Sequence, residues 1–230
     1  VSDGDTAAGP AGSKTVDAGL HLLEILRDHP DGLNITELSR LSGLHRNAVS
    51  RHLAALGRHR LVTRQGHTYL LGLGIVELNE AVRHRLRGAA TAELQTLADA
   101  CRATAFITVL DTEDEAVVLT VSEPRGSNIH VAYRAGNRHP ADQGASGIAI
   151  LIGRPPRQGE RQAVTRARCA GYSVTSGELQ PGAWGLAAPI LPGSGPAEAS
   201  IGIVTIGERE DETTIAPLVL SAAERIARLL

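Results

Sequence analysis

The sequence is poor in several features that would each define a function. It has two cysteines in 230 residues, Cys101 and Cys169. Two thiols do not make a disulfide scaffold; they fit a reducing compartment, with both expected as small core residues. No run reaches the about 18 apolar residues that a membrane span needs. The N-terminus lacks a charged-then-apolar signal pattern. A soluble, cytoplasmic protein is therefore expected. No Cys-x-x-Cys or His-x-x-x-His pair and no nucleotide-binding motif occurs, so neither metal nor cofactor is expected. Lysine is nearly missing: Lys14 is the only one among 23 basic residues. With so much Ala and Gly this is a bias of the whole chain. The choice of Arg over Lys thus carries no functional information, whereas position does.

One absence is local and more telling. From Arg40 to Gln65 there is no Asp or Glu, while the same window holds Arg40, Arg46, Arg51, Arg58, Arg60 and Arg64, with His45, His52 and His59. A surface that excludes carboxylate and collects guanidinium suits a polyanion. The basic character is confined to one part. Residues 1–88 carry net +2 and residues 89–230 net −4, within a chain of net −2. Only the first part is expected to meet a polyanion.

Length allows two modest domains. Residues 1–13 are small, polar and Pro/Gly-containing, and are expected to be disordered. Residues 14–74 read as three helices and a hairpin. The first helix is expected from Ser13 to His29, its faces marked by Val16, Leu20, Leu23 and Leu26, and is ended by Pro30-Asp31-Gly32. Asn34 and Glu37 fit a capping box opening a short helix to Leu41. Ser42-Gly43-Leu44 turns the chain into a third helix, about His45 to His59. Two short helices joined by a Gly-containing turn are the helix-turn-helix signature. On the third helix Val49, Leu53 and Leu56 form the inner stripe, expected against Leu38, Leu41 and Leu61. Asn47, Ser50, Arg51, Ala54 and Arg58 form the outer one, with Arg46 at its flank. Small residues at 50 and 54 let a helix sit deep in a major groove. Arg46 and Arg51 can reach guanine edges or phosphates, and Asn47 can pair with adenine. Residues 61–64 and 68–71 around Gly66 read as a β-hairpin, the wing of a winged helix-turn-helix. Its tip, Arg64, Gln65, Gly66 and His67, is placed for phosphate or minor-groove contact. A solvated helix face is the plainer reading of the arginines, but it leaves the missing carboxylates unexplained. His45, His52 and His59 are spaced by about 10.5 Å of helix, too far to share a metal ion, so they are read as polar flank residues.

Residues 75–88 read as a linker helix broken by Gly88. Residues 89–230 open with a helix, Ala89 to Ala103. Strands are then expected at 105–110, 115–122, 129–134, 186–191 and 200–206, and helices at 145–152, 159–170 and 213–230. That order predicts an α+β domain with helices against an antiparallel sheet. The stretch Gly136 to Gly147 puts small residues just before an apolar helix. Backbone N–H groups at Gly144, Ala145, Ser146 and Gly147 can converge there on a carboxylate or similar acceptor, and Ser146 can add a hydroxyl. A plain helix cap is the equal alternative.

Residues 42–56, Tyr69-Leu70-Leu71-Gly72, Gly136 through Leu151, and Gly171-Tyr172 followed by Leu186 to Ile190 resemble the IclR family of bacterial transcriptional regulators over residues 14 to 230. The resemblance implies a winged helix-turn-helix joined by a linker helix to a GAF-like α+β effector-binding domain. It implies a homodimer or homotetramer on a palindromic operator in double-stranded DNA, and a small metabolite as effector. The residues it places at the effector are Asp142, Gly144, Ala145, Ser146, Gly147, Thr175, Gly185 and Thr205. Asp142, if turned inward, would disfavour an anionic effector. Trp184 stands beside these positions, with a plain sheet role equally open. The function expected is that of a ligand-responsive DNA-binding regulator, read as a repressor. The alternatives are a DNA-binding dimer whose second domain only oligomerises, and a serine hydrolase at Ser146. Catalysis is not expected, since Gly144-Ala145-Ser146-Gly147 lacks the Gly-x-Ser-x-Gly spacing of a nucleophile elbow and shows no His/Asp partners.

Overall fold

The structure is a computed structural model, and it describes residues 12–126, 133–207 and 211–230. The chain divides into two compact units, residues 1–82 and 83–230.

The first unit holds α1 (Lys14–Arg27), α2 (Ile35–Ser42), α3 (Arg46–Arg58), β1 (Val62–Gln65), β2 (Thr68–Leu71) and α4 (Gly74–Ala81). The capping box is present: Asn34 Oδ1 accepts from the Thr36 and Glu37 amides, and Glu37 accepts from the Asn34 amide at 2.8 Å. Together these satisfy donors that the helix itself cannot. Gly43 ends α2 at φ +68°, the left-handed conformation that turns the chain into α3. The core is Leu22, Leu26, Leu33, Leu38, Val49, Leu53 and Val62. Each fully buried Leu or Val contributes roughly 1.5–3 kcal/mol relative to exposure. The inner stripe of α1 is thus Gly19, Leu22 and Leu26. Val16 and Leu20 are more than half exposed, and Leu41 is also exposed. The sequence pattern offers two apolar stripes on α1, and three-dimensional packing chooses one.

The linker reading needs correction. No single helix spans 75–88. α4 ends at Ala81, Val82 is extended, Arg83 is left-handed at φ 50°, and α5 runs unbroken from His84 to Cys101. Gly88 lies inside α5. A mid-helix glycine costs about 1 kcal/mol; Leu86, Ala90, Leu94, Leu97 and Ala98 bury one continuous stripe across it, and that burial outweighs the cost.

The second unit adds β3 (Thr104–Leu110), β4 (Glu115–Ser122), β5 (Arg138–Pro140), α6 (Gly144–Ile152), α7 (Gln162–Ala170), β6 (Ser173–Ser176), β7 (Ala183–Ile190), β8 (Ala199–Ile206) and α8 (Glu212–Ala227). Six strands form one antiparallel sheet in the order β5-β4-β3-β8-β7-β6. The strand expected at 129–134 falls mainly on residues outside the described set, and Tyr133 and Arg134 are not strand. The short strands β5 and β6 went unpredicted.

Alternation in the strands decides what each face meets. Trp184, Leu186, Ala188, Ile201 and Ile203 join the core shared with α5 and α8. Phe106, Ala187 and Val204 face the other way, toward Ala145 and Ala149 of α6. Cys101 is buried as expected, but Cys169 is exposed, because α7 turns its Val164–Ala167 stripe inward instead.

Candidate functional site

Two places carry chemistry, one in each unit. In the first, α3 buries Val49 and Leu53 completely or nearly so. The periodicity that buries them forces Arg46, Asn47, Ser50, Arg51, Ala54 and Arg58 into solvent, and all are exposed. Among the described residues, no carboxylate pairs with Arg46, Arg51, Arg58 or Arg64. By contrast, Arg27 pairs with Asp28 and Arg60 with Glu77. His45 caps α3, its Nδ1 near the Asn47 amide at 3.4 Å. In the wing, Gln65 pairs with Thr68 across the turn Gly66-His67. Arg64 donates through Nε to the Gly66 carbonyl at 2.9 Å and lies 5.8 Å from the Tyr69 ring centre. Arg64, Gln65 and His67 are exposed. The eight residues named from sequence for DNA therefore all lie on exposed surface of α3 and the wing.

In the second unit, a cavity of about 50 Å³ lies between the sheet and the start of α6. Of the eight effector residues named from sequence, Gly144, Ala145, Ser146, Thr175 and Gly185 line it. Three do not. Asp142 lines a separate surface depression with Glu113, Asp114, Arg157 and Arg161. Gly147 packs on the Ala141 carbonyl, where an added Cβ would approach to 2.4 Å. Thr205 pairs in register with Trp184, and strand alternation sends both to the α5/α8 side. Trp184 is buried in that core. The residues missed from sequence are Phe106, Tyr133, Gly177, Glu178, Leu179, Gln180, Ala183 and Val204. Phe106, Ala183 and Val204 follow from strand alternation once register is known; nothing local marks Glu178.

The polar wall of the cavity is a buried chain of hydrogen bonds. Tyr133 Oη lies 2.9 Å from Ser146 Oγ, which lies 3.0 Å from His139 Nε2. His139 Nδ1 is 2.9 Å from the Pro140 carbonyl, an acceptor only, so Nδ1 carries the proton and Nε2 accepts. Burial is the main influence on His139 and pushes its pKa below the usual 6.5; hydrogen bonds to Pro140 and Gln143 oppose this weakly. Burial likewise raises the Tyr133 phenol, so it stays protonated. Ser146 thus has a histidine partner that the sequence did not reveal. The ring's other nitrogen bonds a peptide carbonyl rather than a carboxylate. Among the described residues, no group of three or more His, Cys, Asp or Glu is placed to hold a metal. No helix there is long and apolar enough to cross a membrane.

A three-helix head with a basic outer helix and a wing, followed by an α+β unit with a cavity against its sheet, defines a winged helix-turn-helix protein with a separate second domain. Residues 15–66 match the IclR helix-turn-helix domain. The HTH-type transcriptional regulator Rv1719 of Mycobacterium tuberculosis is 31% identical over 161 residues, which is 69% of this chain and 60% of that protein. The chain's match therefore spans less than two thirds of that relative's length. Among solved structures, an IclR homolog from Microbacterium hydrocarbonoxydans complexed with 4-hydroxybenzoate superposes with a TM-score of 0.79 at 20% identity, covering 94% of this chain and 99% of that one. An IclR transcriptional regulator from Alicyclobacillus acidocaldarius gives 0.78 at 19% identity, over 95% and 99%. The first unit thus carries an IclR-type helix-turn-helix domain, and the chain as a whole has the fold of solved IclR regulators.

Proposed function

We propose that the chain is a ligand-responsive transcriptional repressor that binds a palindromic operator in double-stranded DNA. The observation that carries this reading is the outer face of α3: exposed Arg46, Asn47, Ser50, Arg51 and Arg58 without a carboxylate partner among the described residues. Arg46 and Arg51 would read guanine or hold phosphate, Asn47 would pair with adenine, and Arg58, Arg64, Gln65 and His67 would follow the backbone. A palindromic site calls for a two-fold protein. The first unit has apolar surface to spare for a second copy: Val16 and Leu20 on α1, and Val76, Leu78 and Val82 on or beside α4, are each more than half exposed. Pairing of dimers into tetramers belongs to the same reading. Action in the cytoplasm, where the DNA lies, follows from it.

The cavity beside Ser146 would hold a small metabolite. The Microbacterium hydrocarbonoxydans chain, with the same fold, holds 4-hydroxybenzoate. Ligand binding would alter operator affinity, and operator binding would alter ligand affinity by the same factor. Fluorescence anisotropy on duplexes from the gene's own upstream region, against shuffled duplexes at one fixed salt concentration, tests the first half. Preference for the native duplex by orders of magnitude is expected, and equal weak binding to every upstream duplex would sink the reading.

One observation favours a second reading. Ser146 and His139 stand in the contact of a nucleophile and its base. If the pair hydrolyses esters, p-nitrophenyl acetate will be turned over and Ser146→Ala will abolish turnover. The buried serine and the peptide carbonyl behind His139 argue for a structural network instead.

A further inference from the structure

Among the described residues that line the cavity, one side chain is charged, and that charge is negative. Phe106, Ala145, Leu179, Ala183 and Val204 are apolar, and no Arg, Lys or His stands among the described lining residues. Glu178 lies on the turn between β6 and β7 and reaches back to the start of α6. Its Oε2 accepts from the Gly144 amide at 2.9 Å, while Oε1 lies 3.2 Å from Arg161 Nη2. The same Arg161 donates to the Asp142 carbonyl, so the latch is tied to the chain on both sides of the Gly144 turn. Leu179 closes beside it, so near that a Cβ on Gly144 would meet Leu179 Cδ1 at 2.4 Å. Gly144 itself has φ +72°, so glycine is required there by conformation and by space.

The first turn of a helix carries about half a positive charge and is the natural seat for an anion. Here a carboxylate of the chain already occupies it. An incoming carboxylate would have to displace Glu178 from both Gly144 and Arg161, or lie beside it in a cavity of low polarity. Either course leaves an anion poorly compensated.

The hydroxyls point to the same conclusion. His139 Nδ1–H is given to Pro140, so Nε2 takes the Ser146 hydroxyl proton. Ser146 Oγ then accepts from Tyr133, and Thr108 Oγ1 can donate to Tyr133 at 3.4 Å. Tyr133 Oη also lies 3.4 Å from His139 Nε2, so each hydroxyl of this chain has an acceptor within it. What it offers a ligand is lone pairs, on Ser146 and Tyr133. Glu178 offers lone pairs as well. A carboxylate ligand brings only acceptors, and among the described lining side chains outside this chain only Thr175 and Gln180 carry neutral donors to meet it.

We propose that Glu178 sets the specificity of this cavity, and that the ligand is a small uncharged molecule bearing a hydrogen-bond donor, such as an alcohol or a primary amide, rather than a carboxylate. The donor bonds the Tyr133–Ser146 oxygens, and the apolar part rests on Phe106, Ala183 and Val204. A volume of about 50 Å³ suits a ligand of a few heavy atoms; a cavity that takes benzene has ~150 Å³. The proposal rests on the reading of this cavity as the effector site.

Propionamide and propionate share one shape and differ in charge and donor, so they isolate the claim. Both would be titrated into the full-length wild type and into Glu178→Gln, following the thermal unfolding midpoint and ligand-observed saturation-transfer NMR. Gln keeps an oxygen for the Gly144 amide and removes the charge. Wild type is expected to bind the amide and not the acid. Glu178→Gln is expected to gain at least about tenfold in affinity for propionate and to change little toward propionamide. Equal binding of both by wild type, or a Glu178→Gln variant whose preference is unchanged, overturns the proposal, and so does binding of neither probe to either protein. If Glu178 merely caps α6, the variant melts lower with its selectivity intact, which also overturns it. Operator anisotropy on the same samples separates this from the regulator reading. DNA binding with no ligand preference overturns the inference alone, whereas amide preference without DNA binding supports it while the regulator reading falls.

Discussion

Arg46 and Ser146 differ chiefly in what surrounds them. Arg46 on α3 stands in solvent without a carboxylate partner among the described residues. Ser146 on α6 is 2% exposed and enclosed by Tyr133, His139 and the sheet. One unit offers its chemistry outward, on a surface whose fold does not depend on it. The other builds its chemistry into the core, where polar groups must satisfy one another before any ligand arrives. The difference teaches that mutation will separate binding from stability in the first unit and entangle them in the second.

The largest effect should come from Phe106→Ala. Phe106 is 2% exposed, lies edge-on to Tyr133 at 4.9 Å between ring centres, and lines the cavity from β3. The loss should be about 3–5 kcal/mol in denaturant unfolding. Ligand-free operator affinity, measured without denaturant, should be unchanged if the two units are as separable as proposed. A parallel loss of DNA binding would break the comparison.

Arg46→Ala tests the other side. It should cost about 1–3 kcal/mol of specific DNA binding and relax preference at one base pair, if the side chain reads guanine. Unfolding should move by no more than about 0.5 kcal/mol, because the residue is exposed and touches no core. Anisotropy against a panel of single-base operator variants checks both parts. Unchanged affinity and preference would mean that a different face of α3 meets the DNA.

Ser146→Ala sharpens the contrast from within the core. It removes the hydroxyl between Tyr133 and His139 and leaves those two only their own longer contact, Tyr133 Oη to His139 Nε2 at 3.4 Å, at a cost of about 1–3 kcal/mol in stability. Ligand response should weaken while ligand-free DNA affinity stays. Stability equal to wild type would show that water replaces the hydroxyl and that the network is less closed than its distances indicate.

The same contrast explains what could be read from the sequence. The first unit was legible because its signals are local. Asn34 and Glu37 are three residues apart, Gly43 sits at the turn, and the arginines of α3 are set out by one helix's own period. In the second unit the helix start at Gly144 and the small residues after it were legible for the same reason. Glu178 was not, because it lies 34 residues from the amide it caps and nothing in its own neighbourhood marks it. Thr205 was misplaced by a matter of parity: strand alternation puts Val204 toward α6 and Thr205 toward α8, and register depends on pairing with β7, not on the strand itself. Gly88 misled because glycine is a weak helix breaker when a stripe such as Leu86, Ala90 and Leu94 is buried on both sides of it.

The smallest expected effect lies in pH. His139 is buried as the neutral ring, with its folded pKa held below the 6.5 of an exposed histidine. Well above pH 6.5 neither the folded nor the unfolded chain binds a proton at this ring, and it contributes no pH dependence. As pH falls from there toward the depressed folded value, the unfolded state takes up a proton that the folded state refuses. Stability is therefore lost through that window, and the loss is complete below the folded pKa. Unfolding midpoints taken from neutral to mildly acid pH should fall, and His139→Gln should flatten the slope in that window without altering ligand-free DNA binding at neutral pH. An unchanged slope in the variant would mean that the ring already meets solvent, and the Tyr133–Ser146 chain would then have no fixed direction of donation to impose on a ligand.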